Sequence, residues 1–458
     1  MTFGILTLIP PIAVIAIAMA TRCTTSSLIV GSLLCCILQF NTGFLHGFID
    51  LAYSVGMTQG TVWYALFVSL FGCMLGVWSA VGATQAVSDR LGRLATTQRR
   101  TLVLTWLIGI LIAIDDFTSI AVRGSMTKLY DCNKIPRAML AYLSAATASP
   151  LCSLVPFGTW AIFYQSSFAS YESVSALGEP LATYASAVPF MFYGWFSLII
   201  SLLVALGFIK PLGAMRKAYD RAAATGELYS LRSRAYNTQG EECAQVSYGE
   251  GGEFRRMLCF FAPLVAFIAT VLATGDVIAA CLLALAVLIA LCLVFRIASW
   301  TSLMTYCMEG AKSMASLIVV VFAAYMLRDA LIAIGLPEYV ISVAEPIMNP
   351  TLLPATTFVA CALLAFASGS NWGATLAVAA IVIPFCATID GNLVLVMAAI
   401  VDGAAFGAHA CFYCDVTVFT SGMTKIDNME HALTQLPYCL IGAAATTVVF
   451  LGAGVVLG

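Results

Sequence analysis

Ile114-Asp115-Asp116-Phe117-Thr118-Ser119 decides how this chain is read, because two adjacent carboxylates interrupt an apolar run spanning 102–122. A charged side chain at the centre of a bilayer costs several kcal/mol, so acids there face a cavity or a partner. Arg99 and Arg100 precede the pair, and Lys128, Lys134 and Arg137 follow it. Such residues favour the cytoplasmic side. A helix from Arg100 to Asp115 rises ~22 Å, and the return to Lys128 rises ~20 Å. Neither leg clears a hydrocarbon core of ~30 Å once the polar ends are allowed for. The spacing predicts a re-entrant hairpin that enters from the cytoplasm and turns at Asp115-Asp116. Irregular backbone at that depth requires protein or a water-filled cavity around it, so the turn is expected at a binding site.

Composition gives the setting. Hydrophobic residues make up 61% of the chain and charged ones 10%, against about 25% charged in a soluble domain. This is an all-α polytopic membrane protein with the lipid bilayer as its solvent. A net charge of -2 without a basic patch gives no sign of nucleic acid. The first residues lack a basic run before the apolar stretch, which contains Pro10-Pro11, so a retained helix is expected. The 16 cysteines are scattered through apolar segments and read as small buried hydrophobes.

Apolar runs predict helices over 3–20, 27–39 and 61–83, with an interfacial helix over 44–57. After the first hairpin comes 138–168, broken at Ser149-Pro150 and Pro156-Phe157-Gly158, then an outer loop over 170–182 and a helix over 181–209. The segment 210–256 is polar and of mixed charge, and reads as a solvated cytoplasmic linker. The second half then repeats the order: helices over 257–273 and 277–295, an interfacial stretch over 300–309, and a helix over 313–334. A second hairpin has legs 352–367 and 374–389 around Ser368-Gly369-Ser370-Asn371-Trp372-Gly373. A broken helix follows over 393–424, interrupted by Asp402-Gly403, Gly407, His409 and Asp415, then a last one over 436–457. This divides the chain into a membrane repeat 1–209, a linker 210–256 and an inverted repeat 257–458. About ten transmembrane helices, two re-entrant hairpins and two broken helices result. Both termini are expected outside and the linker inside, in a multi-pass protein of the plasma (inner) membrane. Inverted repeats with broken helices meeting at the midplane are a pattern of secondary transporters.

Candidate ligands cluster at these interruptions. Asp115 and Asp116 are the first choice for ion or proton binding. Neighbours on a helix do not share a face, so one points into the site and the other caps a leg. Capping by both is the alternative. Thr118 and Ser119 supply hydroxyls at the same tip. Thr147, Ser149 and Ser153 flank Pro150, where unbonded carbonyls offer hard oxygen ligands to sodium. Thr159 and Trp160 follow the second break. Opposite them, Ser370, Asn371 and Trp372 form a neutral tip, while Asp402, His409, Asp415 and Thr417 lie along the second broken helix. Asp402 and His409 are seven apart and share a face if the helix is continuous. Arg123 either pairs with a site carboxylate or snorkels toward the interface. Asp115, Asp116 and Asp415 are the candidate sodium ligands. Cys411-Phe412-Tyr413-Cys414 is a lone CxxC whose apolar neighbours argue against metal or redox chemistry.

At these residues the chain resembles the NhaC-type sodium/proton antiporter family. The likeness rests on Asp115-Asp116 with Gly124 and Met126, on Ala141-Tyr142 through Thr147 to Pro150, and on Val155-Pro156 with Trp160. It continues through Ser370-Asn371-Trp372-Gly373, Phe406-Gly407 with His409, Asp415-Val416-Thr417 and Thr434-Gln435-Leu436-Pro437-Tyr438. The resemblance implies a carrier, with sodium or a proton as coupling ion and no other cofactor. Its partner is a small ion or small-molecule substrate, and a homodimer is the assembly to test. The chain departs from the family pattern at Ala145, Ala408 and Cys411-Phe412, which leaves an organic carboxylate or amino acid open as substrate. An ion channel is the rival class, and an intramembrane enzyme lacks a nucleophile–base pair.

Overall fold

The computed structural model describes residues 3–21, 24–92, 95–111, 116–156, 159–169, 171–236, 252–274, 276–344 and 349–457. All regular structure among them is helical. In the first half these helices are α1 (Ile9–Thr21), α2 (Thr24–Phe40), α3 (Phe44–Gly56), α4 (Gln59–Ala80) and α5 (Ala83–Gly92). The first hairpin follows as α6 (Gln98–Leu111) and α7 (Asp116–Gly124), with α8 (Thr127–Cys132) behind it. The first broken helix is α9 (Arg137–Ala146), α10 (Ser149–Leu154) and α11 (Thr159–Phe168); α12 (Glu172–Ser175), α13 (Pro180–Ala187) and α14 (Phe192–Ala205) close this half. The linker contains α15 (Gly213–Thr225).

The second half runs α16 (Gly252–Thr274), α17 (Val277–Val294), α18 (Trp300–Ser313), α19 (Ala315–Ala333) and α20 (Leu336–Ala344). Its hairpin is α21 (Leu353–Ser368) and α22 (Asn371–Thr388), its broken helix α23 (Leu393–Ala410) and α24 (Asp415–Met423), and its last helix α25 (Asn428–Leu457). Among the described residues eight helices or helix runs are long and apolar enough to cross a membrane, and the bent pair α13–α14 makes a ninth. Helix α23 is the inner one. Of its most apolar stretch 89% is buried, against 28% for α17, so α17 offers most of its apolar surface to lipid while α23 offers almost none.

Helix starts follow local chemistry. The side chains of Asp276, Ser299, Ser370 and Asn392 each accept a backbone N–H in the first turn of α17, α18, α22 and α23, satisfying donors that have no partner within the helix. Pro150 sits in the first turn of α10, where its missing N–H costs nothing. The first break therefore falls at Thr147-Ala148, just ahead of the proline.

Four expectations need correction. The helix expected over 181–209 is two pieces bent by 52°, because Pro189 lies in the turn between them and the second piece is capped from elsewhere. The helix over 393–424, expected to be interrupted at Asp402-Gly403, Gly407 and His409, is continuous over Leu393–Ala410 and breaks only at 411–414. The linker, largely solvent-facing where it is described, is also docked on the rest of the chain. Glu430 at the start of α25 accepts from Arg221 Nη2 at 2.7 Å, Ser230 N at 3.0 Å and Ser233 Oγ at 2.6 Å. Arg137 N donates to Leu228 O at 3.0 Å, and its guanidinium lies 4.8 Å from the Tyr229 ring centroid. Finally, α25 begins at Asn428, two turns before the expected 436, since its first turn is held by this linker and by Asp427.

Candidate functional site

Only the second of the two hairpin turns lies within the described residues. Residues 112–115, Asp115 among them, lie outside the described part, and α7 opens directly at Asp116. In the second hairpin Gly369 adopts φ +67, a left-handed conformation that suits glycine. Ser370 Oγ then accepts from Gly373 N at 3.1 Å. Beyond the turns the plans coincide. The second residue of α7, Phe117, meets the fifth of α24, Phe419, at 5.1 Å between ring centroids. The second residue of α22, Trp372, meets the fifth of α11, Phe163, at 4.3 Å. Each hairpin thus packs on the last piece of the opposite half's broken helix, and both ring pairs are edge-to-face.

Asp116 is 1% exposed. Its Oδ1 accepts from Phe117 N at 3.0 Å and its Oδ2 from Ser149 Oγ at 3.2 Å, so the carboxylate joins the first tip to the first break. Ser153 Oγ donates to Ser149 O, and the Ser153 carbonyl accepts from Tyr184 OH at 2.6 Å. Trp160 and Trp372 approach to 5.0 Å, with Tyr164 6.1 Å from Trp372. The Tyr164 hydroxyl is within electrostatic reach of Asp116 and Asp402. Asn371 Nδ2 is buried without a hydrogen-bond partner among the described residues, while the buried Tyr164 OH and Thr375 Oγ1 face each other. A cavity of about 490 Å³ opens beside them, lined by Gln165, Phe168, Glu179, Thr183, Tyr184 and Met397. It forms a vestibule over Tyr184; Asp116 and Asn371 are not in its wall.

Helix α23 is continuous from Leu393 to Ala410, so Asp402 and His409 do share a face, and that face meets Tyr193. Asp402 Oδ2 and Oδ1 accept from Tyr193 N at 2.9 Å and Gly194 N at 3.2 Å. This carboxylate caps α14 across 209 positions of sequence. His409 Nδ1 is paired with Tyr193 OH at 2.9 Å, while its Nε2 is buried without a partner. Gln435 Nε2 donates to His409 O at 2.6 Å.

Asp415 opens α24, its Oδ1 accepting from Val416 N at 2.8 Å and Cys414 Sγ at 3.0 Å. The CxxC forms the break between α23 and α24. Among the described residues no group of three or more His, Cys, Asp or Glu is arranged to hold a metal. Thr417 Oγ1 donates to Ala408 O at 3.3 Å, tying α24 back onto α23. The side chains of Thr118 and Thr159 are outside the described part. Ser119 and Thr147 are both engaged by Arg123. Arg123 is 0% exposed, so it does not snorkel; its acceptors among the described residues are neutral oxygens, and Asp115 lies outside those residues. Sequence reasoning missed Tyr164, Tyr184, Tyr193 and Thr375. Thr375 had a usable signal, lying one turn from Asn371 on the same helical face; the tyrosines sit in plain apolar context.

The sequence profile described as the Na+/H+ antiporter family matches residues 151–455. An uncharacterized protein of Haemophilus influenzae is 24% identical over 477 positions, covering 98% of this chain and 90% of that one. The malate-2H(+)/Na(+)-lactate antiporter of Bacillus subtilis is 24% identical over 160 positions, 35% of this chain and 34% of that one. The solved structure of MtrF from Neisseria gonorrhoeae, described with a class of antimetabolite efflux pumps, matches with TM-score 0.39 and 14% identity, over 92% of this chain and 86% of that one.

Proposed function

Since the chain belongs to the Na+/H+ antiporter family, we propose that this secondary transporter works by alternating access, exchanging sodium or a small solute against protons with Asp116 as the coupling carboxylate. The observation that carries the reading is the buried Asp116–Ser149 contact between tip and break. Ionised, Asp116 is acceptor-only and holds Phe117 N and Ser149 Oγ together. Protonated, it gains an O–H donor and keeps only the weaker acceptors of a neutral carboxyl, so the strength of that contact changes with its charge. Proton binding and the fit of hairpin against broken helix are then linked, which is what a carrier needs.

The matching ring contacts at the two tips support an inverted-repeat division into 1–209 and 257–458, with the 210–256 linker on the cytoplasmic side. A carboxylate-bearing organic substrate is the second reading. Asn371 Nδ2 is a buried donor without a partner among the described residues, and α11 and α22 both begin at the Trp160–Trp372 contact, their N-termini favouring anions. The Bacillus subtilis relative is named for malate and lactate, which makes those acids the first to try. The test is uptake of labelled sodium, malate and lactate by proteoliposomes under imposed proton and sodium gradients. Accumulation driven by a proton gradient is expected, and its loss in Asp116→Asn with exchange retained. Gradient-independent flux that does not saturate overturns the carrier reading in favour of a channel.

A further inference from the structure

Arg123 is wholly buried, and none of its contacts among the described residues is to a carboxylate. An uncompensated charge at this depth is costly, so whatever surrounds it must act as a cation site. Four neutral oxygens do so. Nε donates to Ser119 O at 3.0 Å, Nη1 to Leu143 O at 3.2 Å and to Thr147 Oγ1, and Nη2 to Ser119 Oγ at 2.7 Å. Two carbonyls and two hydroxyls are the ligand type that hard cations take. The cage is built from separate parts of the mechanism, since Ser119 belongs to α7 and Leu143 and Thr147 to the end of α9. Helix α6 closes it: a methyl added at Gly109 would lie 2.5 Å from Arg123 Nη1.

We infer that this cage is a monovalent-cation site whose occupant is tethered, the Arg123 guanidinium standing where a free ion such as sodium would otherwise bind. The inference rests on the ion-coupled reading only for its consequence. One positive charge that another carrier would collect from solution is carried here by the chain, so the hairpin and the broken helix stay docked without an ion at this point. The competing account is a helix C-cap, since cations are favourable near terminal carbonyls. A cap asks only for hydrogen-bond donors, whereas a cation site left empty should accept a replacement ion.

The two accounts separate in thermal unfolding of the full-length purified protein in sodium chloride, choline chloride or millimolar guanidinium chloride at matched ionic strength. Arg123→Ala should unfold at a lower temperature than the parent in choline. Sodium or guanidinium should then restore at least half of that gap, saturably, with Thr147→Val in the same background abolishing the recovery. An Arg123→Ala midpoint equally low in every salt, or a parent that gains as much from sodium as the variant does, overturns the inference. Should Arg123→Ala not be recoverable, Arg123→Gln decides, because it keeps donors and removes the charge. Stability equal to the parent in choline assigns a cap, and a lowered midpoint supports the cation site. The readout is ion-dependent stability and not flux, so a negative result leaves the transport reading standing.

Discussion

At the first tip the opening helical residues are Asp116 and Phe117; at the second they are Asn371 and Trp372. Both aromatic residues do the same work, packing edge-to-face on the opposite half's short helix at 5.1 and 4.3 Å. The residues before them do not. Asp116 is hydrogen-bonded to the first break, and Arg123 two turns on clamps the same junction. Asn371 leaves its amide nitrogen unpartnered and has no charged neighbour in α22. The scaffold is thus repeated while the chemistry is not. Under the proposed function, a symmetric frame would gate both sides of the membrane alike, and the asymmetric tips would divide the labour between a titratable coupling side and a neutral side that offers a donor to substrate.

That division predicts unequal responses to substitution. The largest effect is expected for Asp116→Asn, which keeps the shape and removes the titratable charge. Proton-driven accumulation in proteoliposomes should fall by about 5–150-fold, the span of ordinary coupling free energies, while exchange of labelled substrate continues. Asn371→Ala should do the reverse, weakening substrate affinity with the proton dependence unchanged. If both variants lose the same quantity, the tips are not functionally distinct.

Among effects on stability, as distinct from transport, the largest is expected for Gly369→Ala. The left-handed backbone there costs a residue with a Cβ about 1–2 kcal/mol. The added methyl would also meet the Tyr413 ring at 2.5 Å, and such overpacking costs about 1–3 kcal/mol. A marked fall in the thermal unfolding midpoint in detergent is the expected result. An unchanged midpoint means the turn has another accessible conformation.

Asp402→Ala follows, with about 1–3 kcal/mol lost because Tyr193 N and Gly194 N are left unpaired in a buried position. The proton dependence of transport should be retained, which separates this carboxylate from Asp116. A variant that unfolds normally but loses coupling would move Asp402 into the transport machinery.

These contrasts also show what the sequence could and could not reveal. The hairpin legs, the break at Pro150 and the order of elements were legible because each rests on a local signal: apolar length, proline, glycine or a capping residue. The second break was misplaced: Asp402-Gly403, Gly407 and His409 look like interruptions, yet the helix runs through them and ends only at Ala410. The bend between α13 and α14 was half legible. Pro189 stood in plain view, but the cap that starts α14 is Asp402, 209 positions away. Arg123 was misread for the same reason. Its acceptors come from its own helix and from Leu143 and Thr147 at the end of another, and a sequence does not display which carbonyls a helix break leaves open. The docked linker escaped notice because Glu430, Arg221, Ser230 and Ser233 each look like solvated residues until they meet.

The smallest predicted effect tests the neutral tip alone. Ser370 caps α22 through its side-chain oxygen, and beside it Asn371 is buried with its amide nitrogen unpartnered among the described residues. Ser370→Ala should cost about 0.5–2 kcal/mol of stability, and Ser370→Gly only a few tenths, since glycine is a tolerable cap. If Ser370 is a cap and nothing more, transport by the two variants should follow their stabilities, with Gly close to the parent and Ala slightly below it. Substrate titrations at fixed pH distinguish this from a ligand role. A ligand hydroxyl would be missed equally in both variants, raising the substrate concentration needed for half-maximal uptake by the same factor whatever their unfolding midpoints. That outcome would place Ser370 beside Asn371 in the substrate site and make the second tip chemically richer than a capped turn.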